Sequence, residues 1–114
     1  MEIGHLESLQ ELYLQGNLLT ELPPQLGNLP HLEILYLHLN NLTSLPPEIG
    51  SLGKLQHLWV SHNVLREIPA ELGRLHRLLT FAASNNRIEA VPFELGQLRN
   101  LLPPGRCLKT RWRT

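Results

Sequence analysis

"LYLQGN" at residues 12–17 returns as "LYLHLN" at 35–40 and as "LWVSHN" at 58–63. A fainter copy, "FAASNN", occupies 81–86. Each copy begins 23 residues after the one before it. A period of this size marks a solenoid, in which each coil buries its apolar face against its neighbours. Taking Leu9, Leu32, Leu55 and Leu78 as place one gives four full repeats, 9–31, 32–54, 55–77 and 78–100, after a partial unit at 1–8.

Apolar residues recur at places one, four, six and eleven. In the second repeat these are Leu32, Leu35, Leu37 and Leu42; in the fourth they are Leu78, Phe81, Ala83 and Ile88. Places four and six alternate with more polar ones, the period of a strand with one face buried. The second half of each repeat reads "LPPQLGNL", "LPPEIGSL", "IPAELGRL" or "VPFELGQL". Proline suits the first turn of a helix, and Glu48, Glu71 and Glu94 follow where a helix N-terminus welcomes negative charge. Each such segment has room for one or two turns, so short α or 3₁₀ pieces are expected. The glycine in each permits close packing or a positive φ.

Place nine is Asn17, Asn40, Asn63 and Asn86. A buried turn must satisfy its free backbone groups, and an Asn amide offers two donors and an acceptor for that purpose. These four are read as a structural ladder bridging coil to coil.

The pattern "LxxLxLxxNxLxxLPxxIGxL" resembles the leucine-rich repeat, in the 23-residue form of intracellular Ras-pathway-type scaffold proteins. The resemblance covers roughly residues 1–102. It implies an α/β leucine-rich-repeat solenoid with short parallel strands lining a concave face and short α or 3₁₀ segments on the convex face. It also implies binding of another protein through the concave face.

If places four and six are buried, places three, five and seven face outward. Place five holds Tyr13, Tyr36, Trp59 and Ala82, although the chain has only two each of Phe, Trp and Tyr. Place three adds Glu11, Ile34, His57 and Thr80; place seven adds Gln15, His38, Ser61 and Ser84. Tyr and Trp give large contact area with few rotors and are enriched at binding hot spots, and they also stabilise neighbouring strands. The partner-binding surface is expected here. Four strands span about 15 Å by about 17 Å, a flat area near ~250 Å² that relief might double. A standard interface needs ~800 Å² from each partner, so four repeats alone look small.

Composition narrows the rest. The ten Lys and Arg balance ten acids, all of them Glu, so no whole-chain charge argues for nucleic acid or an anionic membrane. No apolar stretch reaches the ~20 residues of a membrane span. The lone Cys107 cannot form an intramolecular disulfide, which favours a cytoplasmic or nuclear setting. His38 and Ser61 share place seven on adjacent strands and could touch, but an open sheet offers no oxyanion hole, so no enzyme activity is expected. The six histidines sit at scattered places, so no metal site and no cofactor is expected. Pro104 stands where a core leucine is due, which ends the array near residue 102 and leaves 103–114 as a basic tail expected to be disordered. Neither end carries a recognisable cap, so self-association through the ends is expected, and the chain reads as a piece of a longer protein. The alternatives to a signalling-scaffold binding module are a structural repeat fragment without binding of its own and a regulatory segment of a multidomain enzyme.

Overall fold

The computed structural model describes residues 8–98 and 100. Residues 1–7, Arg99, Leu101 and Leu102 of the repeat array, and the expected tail 103–114, lie outside the described residues. Four strands form one parallel sheet in sequence order: β1 (Glu11–Tyr13), β2 (Ile34–Tyr36), β3 (His57–Trp59) and β4 (Thr80–Ala82). The register advances by one repeat per strand, so Leu12, Leu35, Leu58 and Phe81 are successive partners. The ladder is tight at its C-terminal end, where the Leu37 amide donates to the Trp59 carbonyl at 2.7 Å and the Val60 amide to Ala82 at 2.7 Å.

Opposite the sheet lie four five-residue 3₁₀ segments, Pro24–Asn28, Pro47–Ser51, Ala70–Arg74 and Phe93–Gln97. Each is preceded by an extended proline, Pro23, Pro46, Pro69 or Pro92, whose fixed φ sets the chain up for the turn. They stay at a single turn and a half because the following leucine leaves helical geometry; Leu52, for example, sits at φ −82° and ψ 74°.

Between the two layers runs one leucine core. Leu32, Leu35, Leu37 and Leu42 of the second repeat and Leu55, Leu58, Val60 and Leu65 of the third are fully buried. Leu9, Leu12, Leu14 and Leu19 of the first are only partly covered. The fourth repeat keeps the core filled by exchange of volume: Phe81 stands at place four where the others have leucine, and small Ala83 stands at place six.

Gly27, Gly50 and Gly73 of the 3₁₀ layer serve close packing and not a positive φ. A Cβ at Gly27, Gly50 or Gly73 would lie 2.5 Å from the carbonyl oxygen of Glu48, Glu71 or Glu94 in the next coil. The positive φ belongs elsewhere, to place eight, where Gly16, Leu39, His62 and Asn85 adopt φ of 74°, 60°, 57° and 58°.

Candidate functional site

Because the strands are three residues long and buried at their centres, places three and five stand on the outward face of the sheet. There the aromatic column is continuous. The Tyr36 and Trp59 rings stack at 4.4 Å, only 16° from parallel. Tyr13 lies 5.1 Å from Tyr36 but tilts by 47°, and 49% of it is exposed. His38 at place seven closes the cluster, 5.7 Å from Tyr36 and 5.7 Å from Trp59. The column ends at Ala82, which is buried.

A polar network takes over on β3 and β4. The Trp59 indole N–H reaches diagonally across to donate to the Thr80 hydroxyl at 3.4 Å, and His57 Nδ1 lies 2.8 Å from the same oxygen. Thr80 can then donate to Nδ1 when His57 carries its proton on Nε2. The Ser84 hydroxyl donates to Ser61 at 3.2 Å. Ser61 is therefore engaged along its column by Ser84, while His38 Nδ1 is enclosed and has no hydrogen-bond partner among the described residues. Burial, and secondarily the nearby His62, hold the His38 imidazole below its ordinary pKa. No oriented Ser–His pair results.

At the β1 end the arrangement is charged. The Tyr13 hydroxyl donates a hydrogen bond to Glu11 Oε1. That bond is the largest of the influences pushing the Tyr13 phenol above its ordinary pKa. Gln15 is exposed beyond the end of β1, and Ile34 is half-buried on β2. The structure thus brings Tyr13, Tyr36, His38 and Trp59 into one cluster and His57, Trp59 and Thr80 into another, with Gln15 outside both.

The place-nine asparagines bond in one direction. Asn63 Nδ2 donates to Val60 and Ser61 of its own coil at 2.9 and 3.3 Å and to Leu37 of the preceding coil at 3.0 Å; its Oδ1 accepts from the Leu42 amide at 2.9 Å. Asn40 and Asn86 repeat the pattern onto Leu14 and Leu19 and onto Val60 and Leu65. Asn17 is exposed, and among the described residues its amide reaches only Leu14 and Gln15 of its own coil. Place eight went unread in the sequence, although Gly16 and Asn85, the two residue types most at home at positive φ, share that column. Among the described residues no three of His, Cys, Asp and Glu gather as metal ligands, and no helix is long and apolar enough to cross a membrane.

The same repeated geometry is carried by known sequences: the leucine rich repeat profile matches residues 7–65 and again residues 30–88. The chain belongs to the leucine-rich repeat family. This leucine-rich repeat chain is similar to the Leptospira interrogans LRR protein LIC12759, at 41% identity and a TM-score of 0.86, over 88% of this chain and 26% of that one. It is similar to the plant peptide hormone receptor RGFR1, solved in complex with RGF2, at 32% identity and TM-score 0.77, over 87% and 17% of the two chains. It is also similar to internalin C2 of Listeria monocytogenes, at 29% identity and TM-score 0.72, over 87% and 42%. Among curated proteins none matches it. The leucine-rich repeat chain therefore spans about a quarter of the length of the Leptospira protein.

Proposed function

We propose that the chain is a protein-interaction module that binds a protein partner through the concave, outward face of its sheet. The observation that carries this reading is the Tyr13–Tyr36–Trp59 column, which sets large aromatic side chains at an outward place where the core does not require them. The similar plant receptor was solved with its peptide RGF2, which supports a protein or peptide ligand for this repeat type. The module is assigned to an intracellular signalling scaffold of the Ras-pathway type, in the cytoplasm. That assignment rests on the 23-residue period and on the single cysteine. A face of four strands is small beside a standard ~800 Å² interface, so the chain supplies one portion of a longer binding surface.

The test selects peptides from a random display library on the intact chain and titrates them against two variants. Trp59→Ala is expected to lose about thirtyfold in affinity, the effect of removing a central anchor of ~2 kcal/mol. Phe93→Ala, which removes an exposed aromatic ring from the 3₁₀ layer, is expected to leave affinity unchanged. Loss with Phe93→Ala and none with Trp59→Ala would move the binding face to the other side of the molecule.

A further inference from the structure

The outward face is not electrostatically uniform. Of the residues at places three, five and seven of the four coils, Glu11 is the only one with a formal charge when histidine is neutral; no Lys or Arg stands among them. Among the described residues its one polar contact is the Tyr13 hydroxyl. That contact occupies Oε1 and leaves the second carboxylate oxygen for a ligand. It also ties the carboxylate to the rim of an aromatic ring.

That ring is the most open of the column. Trp59 and Tyr36 lie face to face at 4.4 Å, so each covers a face of the other, and both are half-buried. Tyr13 is 49% exposed and turned 47° away from Tyr36, which leaves ring surface open beside the carboxylate. A π face and a carboxylate within one hydrogen bond of each other form a complementary pair for a cation on an alkyl stem. A guanidinium suits it best, because it is planar, stacks on aromatic faces and donates a fork of N–H groups to a carboxylate.

We propose that Glu11 and Tyr13 form a receiving site for a cationic side chain, an arginine, of the protein partner. This deepens the concave-face reading and rests on it. It makes the β1 end of the face the part that chooses by charge, because a carboxylate stands there, while the Tyr36–Trp59 stack contributes mainly contact area. The carboxylate is exposed, so the site adds selectivity more than affinity.

The experiment uses two tripeptides, acetyl-Gly-Arg-Gly-amide and the same peptide with citrulline, which keeps the shape of arginine and lacks its charge. Each is titrated into the full chain by NMR, following the backbone amides of β1 and β2. The arginine peptide is expected to shift the amides around Glu11 and Tyr13 saturably, binding about threefold to thirtyfold more tightly than the citrulline peptide. Glu11→Gln, at an exposed position, is expected to keep the fold and abolish the difference. If both peptides shift these amides equally, the concave face still binds peptide but the cationic class is wrong. If the arginine peptide instead shifts the amides of Glu48, Glu71 and Glu94 on the 3₁₀ layer, or shifts none, the proposed site is refuted. The display selection with Trp59→Ala and Phe93→Ala judges the broader reading separately.

Discussion

Replacing Gly50 by alanine should wedge two coils apart. The new Cβ would lie 2.5 Å from the Glu71 carbonyl oxygen, 2.9 Å from Glu71 Cβ and 3.1 Å from its carbonyl carbon. Ordinary contact begins at 3.4 Å, so about 0.9 Å must be found. The obstacle is backbone and cannot rotate out of the way. Its segment, Ala70–Arg74, is anchored by fully buried Leu72, whose amide donates to Pro69 at 3.0 Å and whose carbonyl accepts from Leu75 at 3.1 Å. The sheet on the far side is pinned by its own ladder, so the coils cannot simply separate. Overpacking against a fixed wall costs about 2–3 kcal/mol. For a domain of this size that lowers Tm by about 10–20 °C. Gly53, three residues later, supplies the control. It is exposed, and a Cβ there meets nothing within 4 Å. Gly53→Ala should be neutral or stabilise by up to about 1 kcal/mol, because it narrows the unfolded ensemble. Urea unfolding followed by circular dichroism measures both. A Gly50→Ala variant within about 0.5 kcal/mol of wild type would show that these glycines do not set the spacing of the coils.

Asn63→Ala should cost about 1–3 kcal/mol, because the buried Leu42 amide loses its acceptor while the Leu37 and Val60 carbonyls keep Asn40 and Asn86, whereas Asn17→Ala should cost under about 1 kcal/mol; equal urea midpoints would contradict the burial gradient. At place eight, Leu39→Asn should raise stability by about 0.5 kcal/mol, since relief of a left-handed backbone exceeds the loss of a half-covered side chain, and Gly16→Ala should lower it by about 1 kcal/mol although nothing lies within 4 Å of the new Cβ; thermal melts with the opposite signs would refute the strain argument. His38 resists protonation more in the folded chain than in the unfolded one, so the unfolded chain takes up the proton first as pH falls. Its contribution to stability is then complete above the ordinary value of 6.5 and diminishes as pH falls below it. His38→Gln should flatten the dependence of the urea midpoint on pH between about 7 and 5, and an unchanged slope would assign that dependence to other groups.

Much of this architecture was legible because burial in a solenoid repeats at one spacing. Leu35, Leu58 and Phe81 announce the strand centres, and Pro46 and Pro69 announce the turns opposite. What the sequence left open were choices that depend on a neighbouring coil. The glycines allowed either close packing or a positive φ; only the approach of the Glu71 carbonyl decides for Gly50. Left-handed place eight was hidden by Leu39 and His62, residues that carry no turn signal. A column-by-column reading finds Tyr13, Tyr36 and Trp59, but it misses the diagonal from Trp59 to Thr80. It also set His38 beside Ser61 without seeing that Ser84 would take the serine. "FAASNN" looked like decay of the repeat and is instead a coil with its volume shifted from place six to place four.

The one-way bonding of the asparagines makes the two ends of any such stack unequal. Where the coil on the N-terminal side is missing, the asparagine side chain still bonds carbonyls of its own coil, as Asn17 bonds Leu14. Removing one from the C-terminal side strips main-chain groups of their partner: without Asn86, the Leu65 amide loses its acceptor. Those groups cannot turn away. Strand amides lose acceptors at either cut, Ile34 without Gln10 and Leu37 without Trp59, so the asparagine bond is what a trailing cut removes in addition, and a graft that keeps the following asparagine should outlast one that ends just before it.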